Sequence, residues 1–255
     1  MRAYFKEDLK RAFWSRMTLL SVVLSILLFF GGFAEYLGWL RSGVVSVFYL
    51  FTLGYESGIA IVFPLIACLP FAGSFVKDCK SGVVKDCSSK RGYLWIRFLV
   101  NGLVGGFVLF IGPLVGFLFL LGTNLIIGTA MNGQDTEIYG YFSRLGIQSP
   151  IVIMILLLIG LFCCGFIMAS MALGLSVFIQ NPYIVTIFPF VLYLFTATVL
   201  LDMNPSLNLL NLYSLTSYGH PMSDRVLYGA VLLAASMISF IAGGNRRIQA
   251  YVSGP

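Results

Sequence analysis

Catalysis or ion coupling inside an apolar protein needs ionisable or metal-binding side chains at depth, and this sequence keeps them at the margins of its apolar runs. A charge at the centre of a bilayer helix costs about 2.5 to 3.5 kcal/mol on insertion scales, so a buried carboxylate would be retained for function. A membrane-embedded hydrolase would need two Asp, or His with Glu, on facing helices. No apolar run here supplies either set. The single histidine, His220, lies beside Pro221 and near Asp224; one imidazole makes no metal site, and a surface or loop-packing role is expected. The five cysteines, Cys68, Cys79, Cys87, Cys163 and Cys164, fall in apolar runs or in a basic connection and imply no disulfide framework. The sequence therefore predicts no catalytic residue, no metal ligand and no directly bound cofactor. The missing midplane carboxylates also argue against proton- or sodium-driven transport, so energy would have to come from a partner.

The richest polar segment runs Val76-Lys-Asp-Cys-Lys-Ser-Gly-Val-Val-Lys-Asp-Cys-Ser-Ser-Lys-Arg-Gly-Tyr-Leu-Trp-Ile-Arg97. Six basic and two acidic groups surround the small apolar set Val83, Val84, Tyr93, Leu94 and Trp95. Such a connection can fold as a short helix and press into a groove on a soluble protein. The plainer alternative is a basic loop that only fixes topology. The repeated Val-Lys-Asp-Cys at 76–79 and 84–87 is read as a local coincidence.

The elements that would position these residues are membrane helices. Hydrophobic residues make up 59% of the 255 and charged residues 10%, against roughly 25% charged in a soluble domain. A span takes about 20 mostly apolar residues. Six runs qualify, at about 17–34, 57–76, 93–122, 150–179, 182–201 and 226–243. The apolar stretch 43–55 is too short to span alone, and its role is left unassigned. The expected fold is a single all-α membrane domain over 1–255 with six transmembrane helices.

Alternate connections set the orientation, because Lys and Arg near spans stay in the cytoplasm. One side carries thirteen, from Arg2 to Arg16, Lys77 to Arg97, and Arg246 with Arg247; the other carries Arg41, Arg144 and Arg225. Both termini are then cytoplasmic. The net charge of +6 marks orientation and not nucleic-acid binding. In residues 1–15, Phe5, Leu9 and Phe13 recur at i, i+4 and i+8. They predict an amphipathic helix lying on the inner leaflet, with Trp14 at the headgroup level and basic residues facing anionic lipid. A solvated basic tail is the alternative. Between the fifth and sixth runs, 202–224 contains Leu207, Leu209, Leu210 and Leu212 among polar residues.

These features resemble the six-helix permease subunits of ATP-binding-cassette exporters, the class that includes polysaccharide, drug and bacteriocin or peptide-toxin exporters. Those proteins share an interfacial N-terminal helix and a first cytoplasmic loop with an acid four before a glycine. A Ser-basic pair and a basic residue entering the third span follow. Asp78, Gly82, Ser89 with Lys90, and Arg97 stand at those places, but the proline that often precedes the pair is replaced by Cys87 and Ser88. The resemblance implies that 77–91 forms a coupling helix that touches an ATPase through Asp78, Lys80, Ser81, Gly82, Lys85, Asp86, Ser89, Lys90 and Arg91. It also implies that 202–224 re-enters the membrane as an extracellular gate, for which the four leucines suit; an interfacial loop is the alternative. The implied partners are an ABC ATPase subunit carrying ATP and Mg, a second permease copy as a homodimer, and membrane lipid. The expected setting is the bacterial cytoplasmic membrane, and the expected cargo is an amphipathic or antimicrobial peptide. Export of a drug or lipid-like substrate, or a non-transporting immunity or scaffold role, are the competing readings.

Overall fold

A computed structural model describes residues 2–56, 58–82, 90–128, 131, 136–199, 207–213 and 222–253. Among them all extended regular structure is helical: α1 (Arg2–Phe13), α2 (Arg16–Gly31), α3 (Leu37–Arg41), α4 (Val47–Glu56), α5 (Gly58–Cys68), α6 (Ser74–Ser81), α7 (Lys90–Ile127), α8 (Glu137–Arg144), α9 (Pro150–Leu175), α10 (Pro182–Thr198) and α11 (Met222–Ser253). Short 3-10 turns lie at Ala34–Tyr36 and Leu209–Leu212.

Local chemistry sets the boundaries. Ser15 is extended, its hydroxyl accepts the Thr18 N–H at 3.0 Å, and the Thr18 hydroxyl donates to the Ala12 carbonyl at 2.6 Å. This cap starts α2 and fixes a 52° elbow against α1. α9 and α10 open on Pro150 and Pro182, where a missing N–H costs nothing. α6 stops at Gly82, whose φ of +78° suits a residue without Cβ.

Three helices are long and apolar enough to cross a membrane, within α7, α9 and α11, and up to five crossings result if each of two bent pairs counts as one. The pairs are α1 with α2, and α4 with α5, which meet at 60°. α10 is apolar but shorter, at 17 residues. Large apolar side chains such as Leu27, Val191 and Ile238 face outward, an exterior that suits a membrane-embedded protein.

One stretch differs from the sequence expectation, and one that the sequence left open takes a definite form. The run 57–76 is not one helix: α5 ends at Cys68, a turn carries Pro70 to Gly73, and α6 then begins. Proline at 70 removes a helical donor and disfavours helix at Leu69. The unassigned stretch 43–55 forms α4, and Val47, Phe48, Leu50 and Phe51 are wholly buried in the main core. It is too short to cross alone, but its bend onto α5 lets the two share one apolar path.

α7 and α9 form the largest helix contact, with α2 along α7, and α5 and α11 against α9. Glycine brings the central pair together. A Cβ on Gly105 would lie 2.5 Å from the Ala169 Cβ and 2.8 Å from the Gly165 carbonyl. Just along the contact, the Asn101 amide donates to the Ala169 carbonyl at 2.6 Å. In lipid, where no hydrophobic drive pairs helices, such close approach and polar contact do that work.

Candidate functional site

At the basic end of the bundle three elements that are separate in sequence converge on one guanidinium. Arg97, on the first turns of α7, is wholly buried, as are Asp78 of α6 and nearly all of Asp8 of α1. One Arg97 nitrogen lies 2.9 Å from Asp8 and the other pairs with Asp78. Arg11 of α1 pairs with the second Asp78 oxygen at 2.9 Å, and the Tyr93 hydroxyl donates to Asp78 at 2.9 Å. Tyr93 and Arg97 are four apart on α7 and so share a face. The guanidinium also stacks 4.7 Å from the centre of the Phe71 ring.

Two carboxylates and two guanidiniums therefore balance within one cluster, buried except for half-exposed Arg11. Burial pushes the Asp8 carboxyl above its usual range, and Arg97 opposes that. Each carboxylate is held by a guanidinium, so the cluster is a latch tying α1, α6 and α7 and not an acid–base pair. A second tie joins the far end of α11. Arg247 donates to the Ser176 and Val177 carbonyls, the latter at 3.0 Å, where α9 ends, and its charge lies over the Phe75 ring of α6 at 5.9 Å. The cation complements the negative pole of α9.

α6 is consequently two-faced. Phe75, Val76, Asp78 and Cys79 are sealed into the bundle, while Lys77, Lys80 and Ser81 are exposed. Burial pushes the Cys79 thiol up to about 11. Among the described residues Cys68, Cys79, Cys163 and Cys164 are all free thiols.

The expected coupling residues separate on this helix. Asp78 points inward to Arg97; Lys80 and Ser81 face out; Gly82 is the left-handed cap. Lys85, Asp86 and Ser89 lie outside the described residues, and Lys90 and Arg91 open α7. Of the interfacial set, Phe5, Leu9 and Phe13 pack with Ala12, Phe71, Val100 and Val104, so the apolar face of α1 lies on protein. Trp14 is 78% exposed beside it. Sequence reading missed Asp8, although it shares the helical face of Phe5, Leu9 and Ala12. A charge inside an apolar stripe was the signal.

At the opposite end, Leu209 is buried, Leu210 and Leu212 are half-buried and Leu207 is exposed. The Leu209 N–H donates to Thr196 of α10 at 3.2 Å, and Tyr228 of α11 donates to the Leu207 carbonyl at 2.9 Å. Tyr55 and Tyr213 each donate to the other's carbonyl, and their rings stack at 4.8 Å. Residues 202–206 and 214–221, with His220, lie outside the described residues, and 222–224 open α11. Tyr213→Phe leaves the buried Tyr55 carbonyl without its donor. A loss of about 1 to 3 kcal/mol is expected, read as a lower thermal midpoint in detergent.

Comparison of the chain with known protein families, curated proteins and solved structures finds no match.

Proposed function

We propose that this chain is the membrane permease subunit of an ATP-driven exporter, with α6 as the helix through which an ATPase partner moves it. The spans in this reading are α2, the bent α4–α5 pair, α7, α9, α10 and α11. The elbowed α1 lies at the cytoplasmic interface, and both ends of the chain are cytoplasmic. Two copies pair around a path in the bacterial cytoplasmic membrane, and an ABC ATPase carrying ATP and Mg sits beneath each.

The observation that carries the reading is the division of α6 into an exposed basic face and a face keyed to the bundle. A load applied at Lys77, Lys80 or Ser81 passes through Asp78 to Arg97 on α7 and onward to Asp8 on α1. A loop that merely fixed topology would need Lys and Arg but no buried carboxylate. The segment Leu207–Tyr213, held by Thr196, Tyr228 and Tyr55 at the far end, suits a gate over the exit. An apolar groove of about 490 Å³ between α9 and α11, lined by residues such as Leu156, Phe166 and Leu233, favours an amphipathic cargo such as a peptide.

The affinity-purified protein should carry a nucleotide-binding subunit whose ATP hydrolysis it alters. In Lys80→Glu/Ser81→Glu, both changed side chains are exposed, so stability should stay within about 0.5 kcal/mol of the parent. Co-purification and stimulated hydrolysis should be lost. Unchanged hydrolysis in that variant, or unaided solute translocation by the purified chain, would refute the proposal.

A further inference from the structure

The elbow between α1 and α2 faces a cleft of about 430 Å³, walled by α1, α2, α5, α6 and α10. Three cations line it: Arg11, Arg16 and Lys77. Arg11 is committed to Asp78. No ion pair engages Arg16 or Lys77 among the described residues. The amino ends of α2, α6 and α10 also converge here, through Ser15, Gly73 and Pro182, and each adds partial positive charge. α6 begins without a side-chain cap. Ser74 lines the cleft at 7% exposure, and its hydroxyl has no hydrogen-bond partner. A buried hydroxyl with nothing to bond is costly unless a ligand supplies the missing partner.

The other wall is apolar. Met17 of α2, Leu65 of α5, Leu69 in the turn after it, and Ile187 of α10 line the cleft. The apolar surface continues along α5 and α10 through Ile61 and Val191, both more than half exposed. A ligand matched to this shape carries a phosphate at one end and hydrocarbon at the other. We infer that the cleft binds the phosphate headgroup of an anionic membrane phospholipid, with Arg16, Lys77 and the Ser74 hydroxyl on the phosphate and the acyl chains along α5 and α10. The inference rests on membrane embedding alone and holds whether or not an ATPase partner exists. The site would also fasten the elbow of α1 and α2 to α6 and α10, which Gly73 brings against Pro182.

The test is native mass spectrometry and thermal unfolding of the full chain in detergent, titrated with phosphatidylglycerol, phosphatidylcholine or inorganic phosphate. Phosphatidylglycerol should bind and raise the unfolding midpoint. Arg16→Gln/Lys77→Gln should weaken binding about twenty-five-fold, at about fivefold for each charge removed, with an unchanged midpoint in lipid-free detergent. Ser74→Ala should weaken it less. Lys6→Gln, on the exposed side of α1, should bind as the parent does. Equal binding of phosphatidylglycerol by the parent and the double variant would overturn the site. Equal binding of phosphatidylcholine would overturn the demand for an anionic headgroup. Displacement of the lipid by millimolar inorganic phosphate would overturn the lipid assignment in favour of a free anion.

Discussion

Arg97→Gln should lose about 3 to 5 kcal/mol of stability, enough to keep most of the protein from accumulating, because it strands the buried Asp8 carboxylate and leaves buried Asp78 with one half-exposed cation. Asp8 is almost wholly enclosed and Asp78 completely so. Arg11, which is half-exposed, would remain the only cation on Asp78, and Asp8 would have none within ion-pair distance among the described residues. Arg97→Lys should rescue little. An ammonium is a compact point charge, whereas the planar guanidinium spans two carboxylates and stacks on Phe71. The three-way change Asp8→Asn/Asp78→Asn/Arg97→Met should recover much of the loss, since removing a whole buried ionic set costs far less than removing one member. Monodisperse yield and thermal midpoint in mild detergent measure all three. A stable Arg97→Gln protein would show that the latch does not hold α1, α6 and α7 together.

Gly165→Leu should be comparably damaging by a different route. A Cβ on Gly165 would lie 2.9 Å from the Gly105 carbonyl carbon and 3.0 Å from the Gly106 Cα, so it meets backbone that cannot rotate away. Overpacking of this kind costs about 1 to 3 kcal/mol, and more where the helices must separate. Here separation would also stretch the Asn101 bond to Ala169. The control is Gly160→Ala on the same helix, where an added Cβ meets nothing within 4 Å; its midpoint should match the parent's. Similar midpoints for Gly165→Leu and Gly160→Ala would show that the α7–α9 crossing tolerates expansion.

Apolar run length located α7, α9 and α11 because hydrophobicity and helix length agree there. It left 43–55 unassigned and misread 57–76 as one span, because a window that counts apolar residues does not register a bend. The chain turns by 60° between α4 and α5 and breaks again after Cys68. The period of Phe5, Leu9 and Phe13 identified a helix and its apolar face, but periodicity does not say whether lipid or protein covers that face. α7 and Phe71 cover it here. Asp78 was legible as a residue of interest and not as a buried one, since its partners Arg11 and Arg97 are distant along the chain and pair only after folding. Thr136, whose side chain accepts the Tyr139 N–H at 3.2 Å, caps α8, a short helix hidden in a polar stretch.

The latch also bears on the order of assembly. Asp8 is synthesised long before Arg97, and its counter-charge arrives only when the start of α7 has been made and set beside α6. Until then α1 carries an uncompensated acid on the face that must be enclosed. Docking of α1 therefore waits on a pairing between residues far apart in the chain, of the kind that slows folding. Bulk added ahead of α1 would act on that closing step.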